Sequence, residues 1–371
     1  MAELNMKDLC KRYIKNKKQV HAVRSLNLIC RDGEFIALLG PSGCGKSTTL
    51  RMIAGLEDVS SGEIMIGGKS VSRLHPSRRN VGLAFENYAL YPPLTVYENI
   101  AFNLRARKMP ESQMKQEVIR IAELLHIPDL LPMKPSALSG GQKQRVNIAR
   151  AIVRHPEVLL LDEPLSHLDG KMRQTMRTEI KRLHSEMKTT SIIVTHDQSE
   201  AMALADRIAI MNEGVLQQYG TPMEVYNYPV NEFVAGFIGE PPMNLFFVNT
   251  VQLQDKLQFR IEDSELVFPV PEQYVRRVRV GEIYRLGIRP TEICPVDGDS
   301  PCTLSARVSI FEPLGEENRI HIRVRDQMLT LITMQGTAYR PGDKIRLLFR
   351  EDRIHLFDLL SGNRIGSRPS G

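Results

Sequence analysis

Three short runs of the chain are apolar without interruption: Phe35-Ile36-Ala37-Leu38-Leu39, Val158-Leu159-Leu160-Leu161 and Ile192-Ile193-Val194. A strand with one wet face would alternate, so these runs predict strands buried on both faces, as in a parallel sheet. Up to about residue 235 such runs alternate with helical stretches, which predicts a mostly parallel sheet covered by helices. Residues 89–155 are mainly helical in pattern, with a proline-rich bend at Pro128, Pro132 and Pro135. The pattern changes within residues 233–244. Beyond them, runs such as Arg319-Ile320-His321-Ile322-Arg323-Val324 alternate with period two, and Gly or Pro turns follow at short intervals. That predicts small antiparallel β structure in a partly closed barrel. The expected organisation is an α/β domain over residues 1–236, with a helical subdomain at about 89–155, followed by an all-β domain over 237–371. There is no fixed-period repeat and no low-complexity segment.

The first apolar run leads into Gly40-Pro41-Ser42-Gly43-Cys44-Gly45-Lys46-Ser47-Thr48, a G-x-x-x-x-G-K-[ST] phosphate-binding loop between a strand and a helix. Gly40, Gly43 and Gly45 let the backbone curl so that successive N–H groups point at phosphate oxygens. Lys46 supplies charge for the β- and γ-phosphates, the Ser47 hydroxyl suits Mg²⁺, and the helix that Lys46 opens adds its positive dipole end. These residues predict binding of a nucleoside triphosphate.

Downstream, Leu138-Ser139-Gly140-Gly141-Gln142 precedes Val146, Ala149, Ile152 and Val153 at helical spacing, which predicts a helix starting just after the glycines. Ser139 is a natural cap, and the glycines leave backbone N–H groups open at a second helix N-terminus. An isolated S-G-G would be an ordinary capped helix; beside a phosphate loop it is a second phosphate-binding device. Here the chain resembles the ATP-binding cassette (ABC) ATPases, whose signature is LSGGQ. The fold implied is a P-loop ABC ATPase domain, a mostly parallel sheet with a helical subdomain, followed by a small all-β OB-like regulatory (TOBE) domain.

The resemblance implies roles for further residues. The run Val158–Leu161 delivers Asp162 and Glu163 at its C-terminal end, where open α/β sheets bind ligands. Asp162 matches the Walker B aspartate that supports Mg²⁺, and Glu163 matches the catalytic glutamate that polarises the attacking water. Ser166-His167-Leu168-Asp169 resembles the D-loop, and His196, in Thr195-His196-Asp197, matches the switch histidine that reaches the γ-phosphate. Tyr13 sits where the family places an aromatic ring under adenine. Lys46, Glu163 and His196 are thus the expected catalytic residues; Tyr13, residues 40–48 and Ser139 to Gln142 are expected to hold ATP; Ser47, Glu86 and Asp162 are expected to hold Mg²⁺.

Two positions depart from the family pattern, His167 in the D-loop and Glu86. The family normally has glutamine at the lid position after Val81-Gly82-Leu83-Ala84-Phe85. A carboxylate ligates Mg²⁺ as well as an amide does, but two like charges 4 Å apart cost about 4 kcal/mol at an effective dielectric near 20. Glu86 therefore needs the metal between it and the γ-phosphate, a raised pKa, or a retracted lid. Residues 233–244, Gly287-Ile288-Arg289-Pro290-Thr291-Glu292, Glu312-Pro313-Leu314-Gly315 and Asn87-Tyr88-Ala89-Leu90-Tyr91-Pro92 resemble the ATPase subunits of carbohydrate importers of the maltose and glycerol-phosphate group.

Composition agrees. The hydrophobic fraction is 42%, and no apolar stretch approaches the roughly 18 residues needed to span a bilayer. The first residues lack the apolar core of a secretory signal. Five cysteines (10, 30, 44, 294, 302) are scattered in neither a metal nor a disulfide pattern, which predicts a reducing cytoplasm. A net charge of +6 is too modest to imply a specific polyanion, and Arg276-Arg277-Val278-Arg279 is expected to expose its charges on one face of a strand rather than to bind nucleic acid. The resemblance implies two transmembrane permease subunits, an extracytoplasmic solute-binding protein and a second ATPase subunit as partners at the cytoplasmic face of the membrane. The expected function is ATP-driven import of a sugar, polyol, glycerol or glycerol phosphate. The alternatives are import of another small solute, an exporter ATPase, which would not be expected to carry this β domain, or a soluble ABC protein, which would carry two cassettes or a long coiled-coil insertion.

Overall fold

The structure is a computed structural model that describes residues 2–15, 18–262, 266–296, 303–324, 327–334, 336 and 338–366. It comprises two compact units, Met1–Pro222 and Met223–Gly371. Cys302 lies outside the described residues; Cys10, Cys30, Cys44 and Cys294 are free thiols.

In chain order the first unit contains β1 (Leu4–Lys15), β2 (Lys18–Cys30), β3 (Phe35–Leu39), α1 (Lys46–Ala54), β4 (Ser61–Ile66), β5 (Lys69–Ser70) and β6 (Val81–Ala84). It continues with α2 (Val96–Ala106), α3 (Glu111–Leu124), α4 (Gly140–Ile152), β7 (Val158–Asp162), α5 (Gly170–Met187), β8 (Thr190–Thr195), α6 (Gln198–Leu204), β9 (Arg207–Asn212) and β10 (Val215–Gly220). One sheet has the order β10-β9-β3-β8-β7-β6 and a smaller antiparallel one the order β2-β1-β4-β5. Strands β9, β3, β8, β7 and β6 pair in parallel, and β10 returns antiparallel along the edge.

Every residue of β3, β7 and β8 is buried, as their uninterrupted apolar runs require. Each such aliphatic side chain contributes roughly 1.5–3 kcal/mol on burial, so these strands anchor what lies at their ends. Leu50, Met52 and Ile53 of α1 join Leu38, Leu160, Ile192 and residues of the small sheet, such as Leu4 and Leu26, in one core. Register then fixes the site: Leu39 pairs with Thr195 and Asp162 with Val194, so the ends of β3, β8 and β7 lie at one level.

The second unit contains α7 (Pro222–Asn227, whose first residue closes the first unit), α8 (Glu232–Phe237), β11 (Asn244–Leu253), β12 (Lys256–Ile261), β13 (Val267–Pro269) and α9 (Glu272–Val275). Then come β14 (Ile283–Ile288), β15 (Ile293–Pro295), β16 (Thr303–Pro313), β17 (Glu317–Val324), β18 (Gln327–Met334), β19 (Lys344–Phe349), β20 (His355–Phe357) and β21 (Arg364–Ile365). Two antiparallel sheets, β13-β12-β11-β14-β20-β21 and β15-β19-β16-β17-β18, share one core that includes Phe246, Phe259, Leu286, Ile320, Leu331 and Leu347.

The units divide at Pro222 rather than near residue 236, and Arg289 gives the physical reason. Its buried guanidinium donates to the carbonyls of Tyr226, Ala235 and Ile238 and lies 4.1 Å from the Tyr226 ring centroid. The α7–α8 segment therefore belongs with the β domain. Burial lowers the Arg289 pKa to about 10. The basic stretch 276–279 forms a turn after α9 rather than a strand, with Val278 buried and its three arginines exposed.

His355, buried in β20, titrates near 3 rather than 6.5, because burial and then Arg364, Arg289 and Arg353 disfavour its cation. A histidine held neutral stabilises the fold fully above the unfolded value, and that contribution is lost as pH falls from about 6.5 towards 3. The loss runs at roughly 1.4 kcal/mol per pH unit. Calorimetry of the full chain should therefore show the transition of the β domain in His355→Leu gaining on wild type between pH 7 and pH 5. A constant gap would contradict the assignment.

Candidate functional site

The loop between β3 and α1 wraps around its own lysine. The Lys46 ammonium is buried and donates to the carbonyls of Gly40 at 2.7 Å and Pro41 at 2.9 Å. Gly45 has φ 106°, and a Cβ there would strike the Ala22 carbonyl, so the turn into α1 requires glycine. Ser42 and Gly43 face solvent, and Ser47 and Thr48 are half-buried in the first turn of α1. Cys44 is buried, and burial raises its thiol pKa against the opposing pull of Lys46, so this cysteine is a poor nucleophile.

At the end of β7, with β8 between it and β3, Asp162 is only 8% exposed. Burial raises its pKa; Arg51 and the Ser47 hydroxyl oppose that shift, and Glu163 and Glu86 reinforce it. Glu163 has φ 43°, a left-handed conformation that costs a non-glycine residue about 1 kcal/mol. Its N–H donates to the Val194 carbonyl at 2.9 Å, and its carboxylate meets His196 Nδ1 at 3.0 Å. Phosphate loop, Asp162, Glu163 and His196 thus converge at the C-terminal ends of β3, β8 and β7, with Glu86 close enough to act electrostatically on Asp162.

The signature lies elsewhere in the unit's bonding. Helix α4 begins at Gly140 rather than after the glycines, because Ser139 and Gln142 form a capping box: the Ser139 N–H donates to Gln142 Oε1 at 2.8 Å, and Ser139 Oγ accepts from the Gln142 N–H at 3.4 Å. A Cβ on Gly141 would lie 2.6 Å from Met172 Sδ of α5, so this glycine permits helix contact. Tyr13 is half-buried in β1, in the small antiparallel sheet, with Lys11 Nζ 4.9 Å from its ring centroid. Asp169 caps α5, its carboxylate accepting from the Met172 N–H at 2.9 Å.

Sequence reasoning missed Arg51, Arg173 and Glu200. Glu200, buried in α6, accepts from Thr195 Oγ1 at 2.7 Å, and Thr195 Oγ1 in turn accepts from the Asp197 N–H at 3.0 Å. Arg173 lies 3.4 Å from Asp197 and 4.0 Å from Glu200. These groups brace the turn that carries His196. Their only sequence signal is polarity on otherwise ordinary helices, which says nothing of where they point.

A glycine-rich loop opening a helix beside a carboxylate pair on a parallel strand defines a P-loop nucleoside triphosphatase. Comparisons narrow that class. Residues 23–166 match the ABC transporter family model and residues 286–357 the TOBE domain model. The trehalose/maltose import ATP-binding protein MalK of Thermococcus litoralis is 45% identical over 94% of this chain and 96% of its own length. The oligosaccharides import ATP-binding protein MsmX of Bacillus subtilis is 44% identical (96% of this chain, 98% of its own). The sn-glycerol-3-phosphate import ATP-binding protein UgpC 3 of Rhizobium etli is 43% identical (98% and 99%). Among solved structures, the dimeric ABC cassette MJ0796 is 30% identical with a TM-score of 0.54, covering 59% of this chain and 98% of its own. The chain belongs to the ATP-binding subunits of ABC transporters, and it is an ATPase.

Because the Thr195–Glu200 bond is buried, Glu200→Ala should cost about 1–3 kcal/mol of stability. It should also lower ATP turnover by releasing the His196 turn. Thermal melts and a steady-state assay check both, and an unchanged melting point would contradict the bracing role.

Proposed function

We propose that this chain powers import of a carbohydrate-like solute (a sugar, polyol, glycerol or glycerol phosphate) from the cytoplasmic face of a membrane, as a peripheral subunit. The observation that carries the catalytic part is the convergence of Lys46, Asp162, Glu163 and His196 at the C-terminal ends of three adjacent strands. The solute class rests on the names of the similar import proteins.

In this reading residues 40–48 and Tyr13 hold ATP in one subunit, while Ser139, Gly140, Gly141 and Gln142 meet the nucleotide of a second. The capping box at Ser139 and Gln142 supports this, since both side chains bond within their own loop rather than to Lys46. Two chains then close head-to-tail over two nucleotides, and Asp169 contributes at the interface. Ser47 and Asp162 offer oxygen donors in a negatively charged setting, with Glu86 beyond them. That suits Mg²⁺, which keeps several waters and shares phosphate oxygens, and which would neutralise developing phosphate charge when bound. Lys46 matches the charge of the transferred phosphoryl group, Glu163 orients water in line, and His196 holds the Glu163 carboxylate and faces the γ-phosphate.

Among the described residues no helix is long and apolar enough to cross a membrane. Two permease subunits would supply the channel and a solute-binding protein the specificity. A cleft of about 300 Å³ beside the lid segment, lined by Leu56, Leu83, Phe85, Asn103 and Arg150, is the surface we assign to the permease.

Lys46→Ala should abolish ATP binding and transport. Glu163→Gln should retain ATP binding and trap the closed pair, with turnover reduced at least about a hundredfold, the scale of a lost catalytic group. Measured on the reconstituted complex, wild-type hydrolysis by Glu163→Gln would overturn the assignment.

A further inference from the structure

The two positions at which this chain departs from the family pattern touch each other. His167 Nε2 lies 3.6 Å from Glu86 Oε1, and both side chains are about half exposed, at 52% and 49%. The His167 ring meets the Tyr88 ring edge-on, 6.2 Å between centroids at 65°. The cluster also reaches the start of α4, where a Cβ on Gly140 would lie 3.7 Å from the Tyr88 hydroxyl and 3.9 Å from the His167 carbonyl. The lid, the D-loop and the signature helix of one chain therefore meet at this pair.

The charge balance of the site gives the contact a use. Glu86 is close enough to act electrostatically on Asp162, so it adds negative charge where a polyphosphate must sit. Glu163 already has an imidazole of its own, His196 at 3.0 Å. Glu86 has His167. At 3.6 Å the ring lies beyond hydrogen-bond distance, so its donor edge acts on the carboxylate electrostatically.

We propose that His167 is a positioning residue, holding the Glu86 carboxylate on the D-loop side of the nucleotide site so that a glutamate can occupy the lid position without opposing ATP. Glu86 and His167 then form a compensated pair: the histidine matters only while residue 86 carries a charge. This rests on the reading that the ends of β3, β8 and β7 bind ATP.

The test is a four-corner comparison of full-length wild type, His167→Ala, Glu86→Gln and the double variant, with His167→Gln as a fifth protein. Affinity for a fluorescent ATP analogue is measured in chelator without divalent metal, where the carboxylate is least screened. His167→Ala should bind roughly twofold to fivefold more weakly than wild type, the scale of a half-exposed charge interaction. Glu86→Gln should bind at least as tightly as wild type, the double variant should match Glu86→Gln, and His167→Gln, which keeps a neutral donor, should recover most of the loss. With Mg²⁺ present, His167→Ala should raise KM while kcat stays within about twofold, as removal of uniform binding predicts. An equal effect of His167→Ala in both residue-86 backgrounds, or none in either, overturns the proposal. Lys46→Ala separates the two failures: if it still binds the analogue, the reading of the site is wrong. If it does not and the cycle is additive, only the role of His167 falls.

Discussion

The constraint on which this site depends is the crowding of carboxylates at the end of a wholly buried strand. Burial of Val158 to Leu161 leaves Asp162 and Glu163 no freedom to withdraw, and Asp162 itself is buried. Like charges 4 Å apart repel by about 4 kcal/mol at an effective dielectric of 20, and Glu86 adds a third. The surroundings offset this repulsion. Arg51 and Ser47 favour the ionised Asp162, His196 holds Glu163, and His167 lies against Glu86. The left-handed backbone at Glu163 turns its side chain towards His196 instead of following the pleat of β7. A site of this composition is poor at holding a free anion and suited to a cation paired with phosphate.

The same helix that begins with the signature also holds the lid. In α4, Asn147 Nδ2 donates to the Phe85 carbonyl at 2.8 Å, and Arg150 donates to the Ala89 carbonyl while its guanidinium lies 5.0 Å from the Tyr91 ring centroid. Two consecutive non-glycine residues, Tyr88 and Ala89, have φ of 62° and 47°. The segment is therefore kept in a costly conformation by bonds from one helix. A displacement of the lid would be felt at the start of α4, where a second subunit's nucleotide is expected. Hydrolysis and movement would then share a physical link made of two side chains and two carbonyls.

Much of this was legible in the residue pattern. The uninterrupted runs at 35–39, 158–161 and 192–194 became fully buried parallel strands because nothing polar in them could be satisfied at a wet face. Gly45 and Lys46 were readable because their chemistry is local to a loop. The start of α4 was not: Gly140 and Gly141 belong to the first helical turn, since Ser139 and Gln142 cap it and Met172 needs the space beside Gly141. Arg289 drew α7 and α8 into the β domain through three carbonyls far from it in sequence, which no local pattern encodes. The same holds for Arg51, Arg173 and Glu200, whose roles exist only through partners from other elements. Glu86 and His167 were each visible as unusual residues, but only the fold shows that they are neighbours.

Negative charge gathered around Asp162 suits this site to a metal–phosphate pair. Electron paramagnetic resonance of Mn²⁺ titrated into the full chain with a non-hydrolysable ATP analogue addresses it most directly. One tightly held Mn²⁺ per bound nucleotide is expected, with at least about a tenfold weaker affinity in Asp162→Asn, equivalent to roughly 1.4 kcal/mol. Mn²⁺ affinity unchanged by Asp162→Asn would contradict it.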